Sequence, residues 1–153
     1  MRGSIIIVSR HRPQALARCI TALRQQSYPA LELIVVADPA ACAALAGQGD
    51  VKIMPFDVAN ISAARNLGLS QAAGDVALFI DDDAVAAPHW AALLIAALGT
   101  PSVVAATGYV RGRNGISYQW RASMPSDRIR ARRHRLEVHQ YTPACTKAPR
   151  GWL

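Results

Sequence analysis

Short runs of large apolar residues alternate along the chain with segments of helical periodicity, and this alternation constrains the fold more than any other feature. The run SIIIV is followed by a proline suited to a first helical turn and then by an apolar stripe. Strands are predicted at 4–8, 31–36, 51–54, 75–80 and 102–110. Helices are predicted at 13–26, 40–46, 60–73 and 88–98. The sequence therefore predicts an α/β fold, a Rossmann-like and mostly parallel sheet with helices on both faces and 51–54 near an edge.

Three aspartates, Asp81, Asp82 and Asp83, directly follow the predicted strand 75–80. Ligands of open parallel sheets bind beyond the carboxyl ends of the strands, so a ligand is expected here. Extended backbone would turn Asp81 and Asp83 to one side and Asp82 to the other. Adjacent carboxylates repel unless a cation compensates them, and hard oxygen ligands select Mg²⁺ or Mn²⁺ together with substrate phosphates. A solvated loop that caps the next helix is the alternative, but the position after a buried strand favours a metal-diphosphate site.

Polar residues also follow the other predicted strands. Ser9 opens the segment SRHR after the first strand, Asp38 follows the second, and Arg65 lies in the helix after the third. Arg65 either reaches a phosphate with its planar donor fork or pairs with Asp57 or Asp81. Asp38 either accepts hydrogen bonds from a ribose or a base or forms an Asx-Pro turn. All these positions are predicted to converge on one rim of the sheet.

Three segments occur in a specific order and spacing: SRHRP after the first strand, LRQQSYPALELIVVADP, and ISAARNLGLSQAAGDVALFIDDDAV. In this combination the chain resembles family 2 glycosyltransferases of the GT-A fold, over about residues 4–110. The resemblance implies the nucleotide-binding half of that fold, in a domain spanning 1–118. It also implies transfer of a sugar from a nucleoside-diphosphate donor to a glycan, lipid or protein acceptor, with inversion.

The resemblance also implies roles for individual residues and a metal cofactor. By motif position, the donor-site residues are Ser9 and Asp38 at the nucleoside, Arg65 at the nucleotide, Asp81 at the ribose or sugar, and Asp82 beside it. The implied cofactor is Mn²⁺ or Mg²⁺, held by Asp83 and Asp81, because a cation stabilises charge on the departing diphosphate. The family's usual proline-threonine-tyrosine-asparagine turn is replaced here by VSRH, so its aromatic contact to the base is missing. The family's paired acid after the second strand is reduced to Asp38.

No catalytic residue is assigned from the sequence. Members of the family need a second half that binds the acceptor and supplies a general base. Asp127 and Glu137 are the only carboxylates after the donor motifs, and neither lies in an acid motif. A noncatalytic remnant that binds a nucleotide sugar is therefore an alternative function. A frameshift or premature stop in a longer gene would account for the altered composition of 121–153, and a short protein with a basic tail is the alternative.

The formal net charge of +7 is concentrated near the carboxyl terminus. Residues 1–110 hold seven basic and eight acidic side chains, whereas 111–153 hold ten basic and two acidic ones. The basic segment 119–153 is expected to contact an anionic membrane surface or to be a solvated end. Binding to nucleic acid is not favoured, because RIRARRHR at 128–135 has no interleaved aromatic residues.

The sequence also carries expectations about cellular location. It contains neither an apolar stretch of about 20 residues nor a secretory apolar region of about 7–15 residues. A cytoplasmic protein is therefore predicted, with peripheral contact at the inner membrane face through the basic segment. Cys19, Cys42 and Cys145 have no metal-binding spacing and are odd in number, so they are predicted to be plain thiols.

Overall fold

The computed structural model describes residues 1–108 and 145–147. Its strands are β1 (Gly3–Ser9), β2 (Leu31–Ala37), β3 (Val51–Pro55), β4 (Val76–Asp81), β5 (Ala105–Ala106) and β6 (Cys145–Lys147). Its helices are α1 (Pro13–Leu23), α2 (Pro39–Ala44), α3 (Ile61–Ser70) and α4 (Trp90–Leu98). The alternation of strands and helices predicted from the sequence is therefore present over the first hundred residues.

The strands form one sheet in the order β3-β2-β1-β4-β6-β5. Strand β1 pairs in parallel with both β2 and β4, and β2 pairs in parallel with β3. Strand β6 is antiparallel to β4 and to β5. The prediction of a mostly parallel, Rossmann-like sheet is confirmed, and β3 lies at an edge as expected.

Helices cover both faces of the sheet, and the side-chain alternation of β1 shows why. Ile5 and Ile7 face one side, where they pack in a large core with the apolar stripes of α1 and α4 and with the buried residues around α2. Ile6 faces the other side, where a smaller core includes Leu69 of α3. Gly68 lets α3 approach this face closely, because a Cβ there would lie 2.5 Å from Cγ2 of Ile6.

Local chemistry sets where the helices begin. Pro13 occupies the first turn of α1, a position that tolerates its missing N–H. The side chain of Asp38 caps α2 by accepting from the amides of Ala40 and Ala41. Asn60 caps α3 by accepting from the amide of Ala63.

Several predicted boundaries are wrong by a few residues. Helix α1 ends at Leu23 rather than 26. Helix α3 ends at Ser70 rather than 73, and the Gly74 amide that follows it donates to Ser4 Oγ. Helix α4 begins at Trp90, after a turn at Pro88.

The fifth predicted strand, 102–110, is also too long. Its described part contains only the two residues of β5, because a turn precedes them in which the Val103 amide donates to the Thr100 carbonyl. Positions 109–110 lie outside the described residues, as does the predicted domain boundary at 118.

The predicted basic segment 119–153 lies outside the described residues except for β6. This strand inserts beside β4, with the Cα positions of 76 and 77 opposite those of 147 and 146. Residues distant in sequence therefore contribute to the same sheet.

Candidate functional site

A cavity of about 520 Å³ opens at the carboxyl edge of the parallel strands. It is bounded by the loop after β1, by the loop between β3 and α3 with the first turns of α3, and by the turn after β4. Its volume falls in the usual range of small-molecule sites, about 300–1,000 Å³. The convergence predicted for the carboxyl ends of β1, β3 and β4 is therefore present.

The three aspartates lie in a tight turn rather than in extended backbone. Strand β4 ends at Asp81, and the Ala84 amide donates to the Asp81 carbonyl at 3.1 Å, which closes the acid turn, residues 81–84. The expectation that Asp81 and Asp83 point together and away from Asp82 assumed an extended chain, so its premise is wrong. The three side chains differ instead in burial, because Asp82 is buried whereas Asp81 and Asp83 are exposed.

Asp82 is fixed at the floor of the cavity. Ser9 Oγ donates to its Oδ2 at 2.7 Å, and Arg12 Nη1 donates to its Oδ1 at 3.3 Å. Its side chain is only 8% exposed. Burial raises the pKa of the Asp82 carboxyl, and the charges of Asp83 and Asp81 add to this rise, although Ser9 and Arg12 oppose it.

Asp81 and Asp83 carry the exposed carboxylates of the acid turn. Arg65 Nη2 donates to Asp81 Oδ1 at 2.9 Å, so of the two alternatives for Arg65 the structure shows the ion pair. Arg12 Nη1 donates to Asp83 Oδ2 at 3.0 Å. The guanidinium groups of Arg12 and Arg65 are therefore paired with the three carboxylates of the acid turn.

The fit of the acid turn to a divalent cation follows from its donor chemistry. Among residues 1–108, no group of three or more His, Cys, Asp or Glu side chains is arranged to hold a metal ion. Mg²⁺ and Mn²⁺ at phosphate sites need fewer protein ligands, commonly one or two carboxylates besides the substrate and water. Asp81 and Asp83 present hard oxygens to the cavity, so the residues fit such an ion.

Asp38 lies outside the residues that line the cavity. Its buried carboxylate accepts from the His11 amide at 2.7 Å through Oδ2 and from two amides of α2 through Oδ1. These backbone bonds, that from His11 above all, lower the pKa of the Asp38 carboxyl. His11 has a positive φ of 60°, so Asp38 holds a left-handed residue in the middle of the β1–α1 loop. Its predicted contact with the nucleoside stays a prediction.

Three apolar residues of the cavity are not among the predicted site residues. Phe56, Val58 and Ile61 line the cavity, and the last two are large apolar residues left exposed. Phe56 directly follows β3, so the rule that drew attention to the carboxyl ends of other strands also identifies it. Phe56 is thus an aromatic side chain of the cavity that lies outside the β1–α1 loop.

Two further arginines, Arg10 and Arg12, line the cavity but are not among the predicted site residues. Arg10 donates from Nε to Asp57 Oδ1 at 2.9 Å, which joins the β1–α1 loop to the loop before α3. Arg12, two residues later, binds the acid turn. Both belong to the segment SRHR, and the sequence signal for them is the alternation of basic residues in this segment after the first strand.

Cys19 lies beneath the acid turn, with its Sγ 3.6 Å from the Asp81 carbonyl oxygen. Burial, with the charges of the three aspartates, raises the pKa of the Cys19 thiol to about 12. Cys19 and Cys42 are both free thiols, as predicted. Cys19 is therefore protonated at neutral pH and is unsuited to act as a nucleophile.

The fold is similar to those of several solved enzymes. S. aureus TarS 1-349 in complex with UDP-GlcNAc superposes with a TM-score of 0.65 at 20% identity, covering 76% of this chain and 36% of that one. A mannosyltransferase from Pyrobaculum calidifontis, PcManGT, in complex with GDP-Man and Mn²⁺ gives a TM-score of 0.61 at 22% identity, covering 72% of this chain and 36% of that one. The chain thus spans little more than a third of either relative. A search of curated proteins finds no match.

The sequence itself matches the family described as Glycosyl transferase family 2 over residues 4–152. Within the part of the chain that the structure describes, no helix is long and apolar enough to cross a membrane. The parallel sheet, the cavity at its carboxyl edge and the acid turn after β4 agree with the motifs that suggested this family. The chain belongs to glycosyltransferase family 2 and contains the nucleotide-binding half of its GT-A fold.

Proposed function

We propose that this domain binds a nucleoside-diphosphate sugar in the cavity at the carboxyl edge and takes part in transfer of the sugar to an acceptor. The observation that carries the proposal is the composition of the cavity walls. The lining combines three apolar side chains, Phe56, Val58 and Ile61, with the charged side chains of Arg65, Arg12 and the acid turn. An amphipathic ligand with a flat ring at one end and a diphosphate at the other suits such a mixed lining.

The nucleoside is proposed to lie against Phe56, because an aromatic face stacks on a base without regard to its hydrogen-bonding edge. Ser9 is proposed to act at the nucleoside end of the site indirectly, through Asp82, because its hydroxyl already donates to the Asp82 carboxylate. Asp82 in turn supports the floor of the donor site. Donor recognition therefore depends on shape and stacking at the base.

The diphosphate is proposed to lie between Arg65 and the acid turn. Arg65 offers a planar fork of donors that matches phosphate oxygens, and its side chain is partly exposed to the cavity. Asp81 and Asp83 would hold Mn²⁺ or Mg²⁺ on the same oxygens. When bound, the cation would neutralise charge on the leaving diphosphate. The sugar would be transferred with inversion, as in the family resemblance.

The proposal is tested by thermal unfolding of the purified chain with UDP, GDP, dTDP or CDP, each with and without Mn²⁺. A ligand that binds only the native state raises the melting temperature, by an amount equivalent to about 2.7 kcal/mol at 100 times its Kd. We expect one nucleotide to stabilise the protein in a metal-dependent manner and Asp83→Ala to abolish this stabilisation.

The matched control is Asp50→Ala, which removes another exposed aspartate that pairs with an arginine, Arg24, outside the cavity. It is expected to keep the wild-type response to nucleotide. Absence of any nucleotide-dependent shift in a sample that unfolds cooperatively would refute the proposed donor site. Release of nucleoside diphosphate from the corresponding nucleotide sugar, measured with and without candidate acceptors, then tests for transfer.

A further inference from the structure

Arg12 connects two carboxylates that differ sharply in exposure. Its Nη1 lies 3.3 Å from Asp82 Oδ1 and 3.0 Å from Asp83 Oδ2, and the Arg12 side chain is 57% exposed in the cavity. Asp82 is buried and also held by Ser9, whereas the side chain of Asp83 is 61% exposed. The contact to Asp83 is therefore the one that can be exchanged for another partner at little cost in buried surface.

Asp83 is also the residue proposed to hold the divalent cation. A guanidinium and a cation on the same carboxylate repel each other, so the ion pair with Arg12 competes with the metal for Asp83. The nucleotide changes this balance, because phosphate oxygens in the cavity offer Arg12 a bidentate, charge-assisted partner.

We propose that Arg12 is an internal counterion that occupies Asp83 and moves to the diphosphate when nucleotide binds, so that nucleotide binding frees Asp83 for the metal. Arg12 is thus a positioning residue that acts through Asp83, and the inference rests on the proposed function. Because coupling between two ligands is reciprocal, metal also favours the nucleotide-bound position of Arg12. Mn²⁺ alone binds weakly as a result, and Mn²⁺ binds better once nucleotide is present.

The experiment measures the Kd of Mn²⁺ alone, from the electron paramagnetic resonance signal of the free ion, at low ionic strength. Arg12→Gln is expected to lower this Kd about 3- to 10-fold, since it removes the competing charge. Arg12→Lys keeps the charge and is expected to stay within about twofold of wild type. The matched control is Arg24→Gln, which removes an exposed arginine that pairs with Asp50 outside the cavity. Its Kd for Mn²⁺ is expected to change by less than about twofold.

The second measurement is the ratio of the Kd for Mn²⁺ without nucleotide to the Kd with saturating UDP or GDP. In Arg12→Gln this ratio is expected to fall by about the same 3- to 10-fold. An unchanged or higher Kd for Mn²⁺ alone in Arg12→Gln, with nucleotide binding intact in the wild type, would overturn the role of Arg12 and leave the donor site standing. Failure of the wild type and all three variants to bind Mn²⁺ or nucleotide would overturn both.

Discussion

Strand β1 carries a serine near each end that donates to a carboxylate, and the two carboxylates have opposite environments. At the amino edge of the sheet, Ser4 Oγ donates to Glu32, which also accepts from the Ala73 amide at 2.7 Å and from Arg2 Nη2 at 3.3 Å. Burial alone would raise the pKa of Glu32, but these bonds and the charges of Arg2 and Lys52 lower it overall. The amino edge therefore holds an ionised carboxylate that the fold stabilises.

At the carboxyl edge, Ser9 donates to Asp82 in the same way, yet burial raises the pKa of Asp82. The difference lies in the neighbours: Glu32 is surrounded by donors, whereas Asp82 lies between two further carboxylates, Asp81 and Asp83. Carboxylates that lie close together beside a cavity are typical of a site where a bound ligand balances their charge. The amino edge is therefore expected to stabilise the domain, and the carboxyl edge is where we propose that the ligand binds.

The largest expected effect is at the tightly packed amino edge. A Cβ at Gly74 would lie 2.7 Å from the Arg2 carbonyl oxygen and 2.9 Å from the Ser4 amide nitrogen, neither of which can move without shifting β1. We expect Gly74→Ala to lower the free energy of unfolding by about 3 kcal/mol, measured by urea denaturation. Gly49→Ala is the control, because nothing lies within 4 Å of its Cβ, and it should change stability by less than about 0.5 kcal/mol. Equal effects would mean that the amino edge is not specially packed.

Neutralising the amino-edge carboxylate is the next largest change. Glu32→Gln keeps the shape of the side chain but loses the charge-assisted bonds from Ser4, Ala73 and Arg2. We expect a loss of about 2 kcal/mol in the free energy of unfolding at pH 7, since a buried donor is left with a poorer acceptor. A loss under about 0.5 kcal/mol would show that the network around Glu32 contributes little.

Regular patterning predicted most of this framework. Apolar runs identified β1 to β4, and periodicity identified the four helices, because both signals are local. The short β5 and the distant β6 were not predictable in this way. The β-branched residues of 102–110 indicate a strand without showing where a turn interrupts them, and β6 depends on pairing between residues far apart in sequence.

The position of the cavity was predicted, but its detailed geometry was not. The carboxyl-edge rule indicated Ser9, Arg65 and the acid turn, all of which line the cavity, and the same rule applies to Phe56, which the sequence analysis does not single out. Which carboxylate is buried depends on the turn at 81–84, and the position of Arg12 depends on the left-handed backbone at His11. Such features arise from tertiary contacts that residue spacing does not encode.

Asp38 tests whether part of the carboxyl edge also stabilises the fold. Asp38→Ala removes the cap of α2 and the acceptor for the His11 amide, so we expect a loss of about 1–2 kcal/mol at pH 7. The folded-state pKa of Asp38 lies below its ordinary value of 3.8, so its stabilisation is complete above that value and declines as pH falls through the folded-state pKa. Urea denaturation of wild type and variant at pH 7 and below pH 4 is expected to show a difference that narrows in acid.

The control for Asp38→Ala is Asp57→Ala, at an exposed aspartate of the same edge that pairs with Arg10. Exposed ion pairs contribute little, so Asp57→Ala should lower the free energy of unfolding at pH 7 by less than about 1 kcal/mol. A difference between wild type and Asp38→Ala that widens in acid would contradict the assignment of Asp38 as an ionised cap.

The smallest expected effect, and the sharpest contrast with Glu32→Gln, is that of Asp82→Asn. The substitution keeps an oxygen to accept from Ser9 but removes a buried charge from between Asp81 and Asp83. We therefore expect the free energy of unfolding at pH 7 to lie within about 0.5 kcal/mol of wild type, or to be higher.

Because the pKa of Asp82 is raised in the folded state, Asp82 of the wild type binds a proton at a higher pH in the folded chain than in the unfolded chain. The wild type therefore gains relative stability as pH falls toward 3.8, and any advantage of the variant should shrink there. A loss at pH 7 as large as that of Glu32→Gln, measured under the same urea conditions, would show that both ends of β1 hold stabilising carboxylates. It would remove the electrostatic reason for assigning ligand binding to the carboxyl edge.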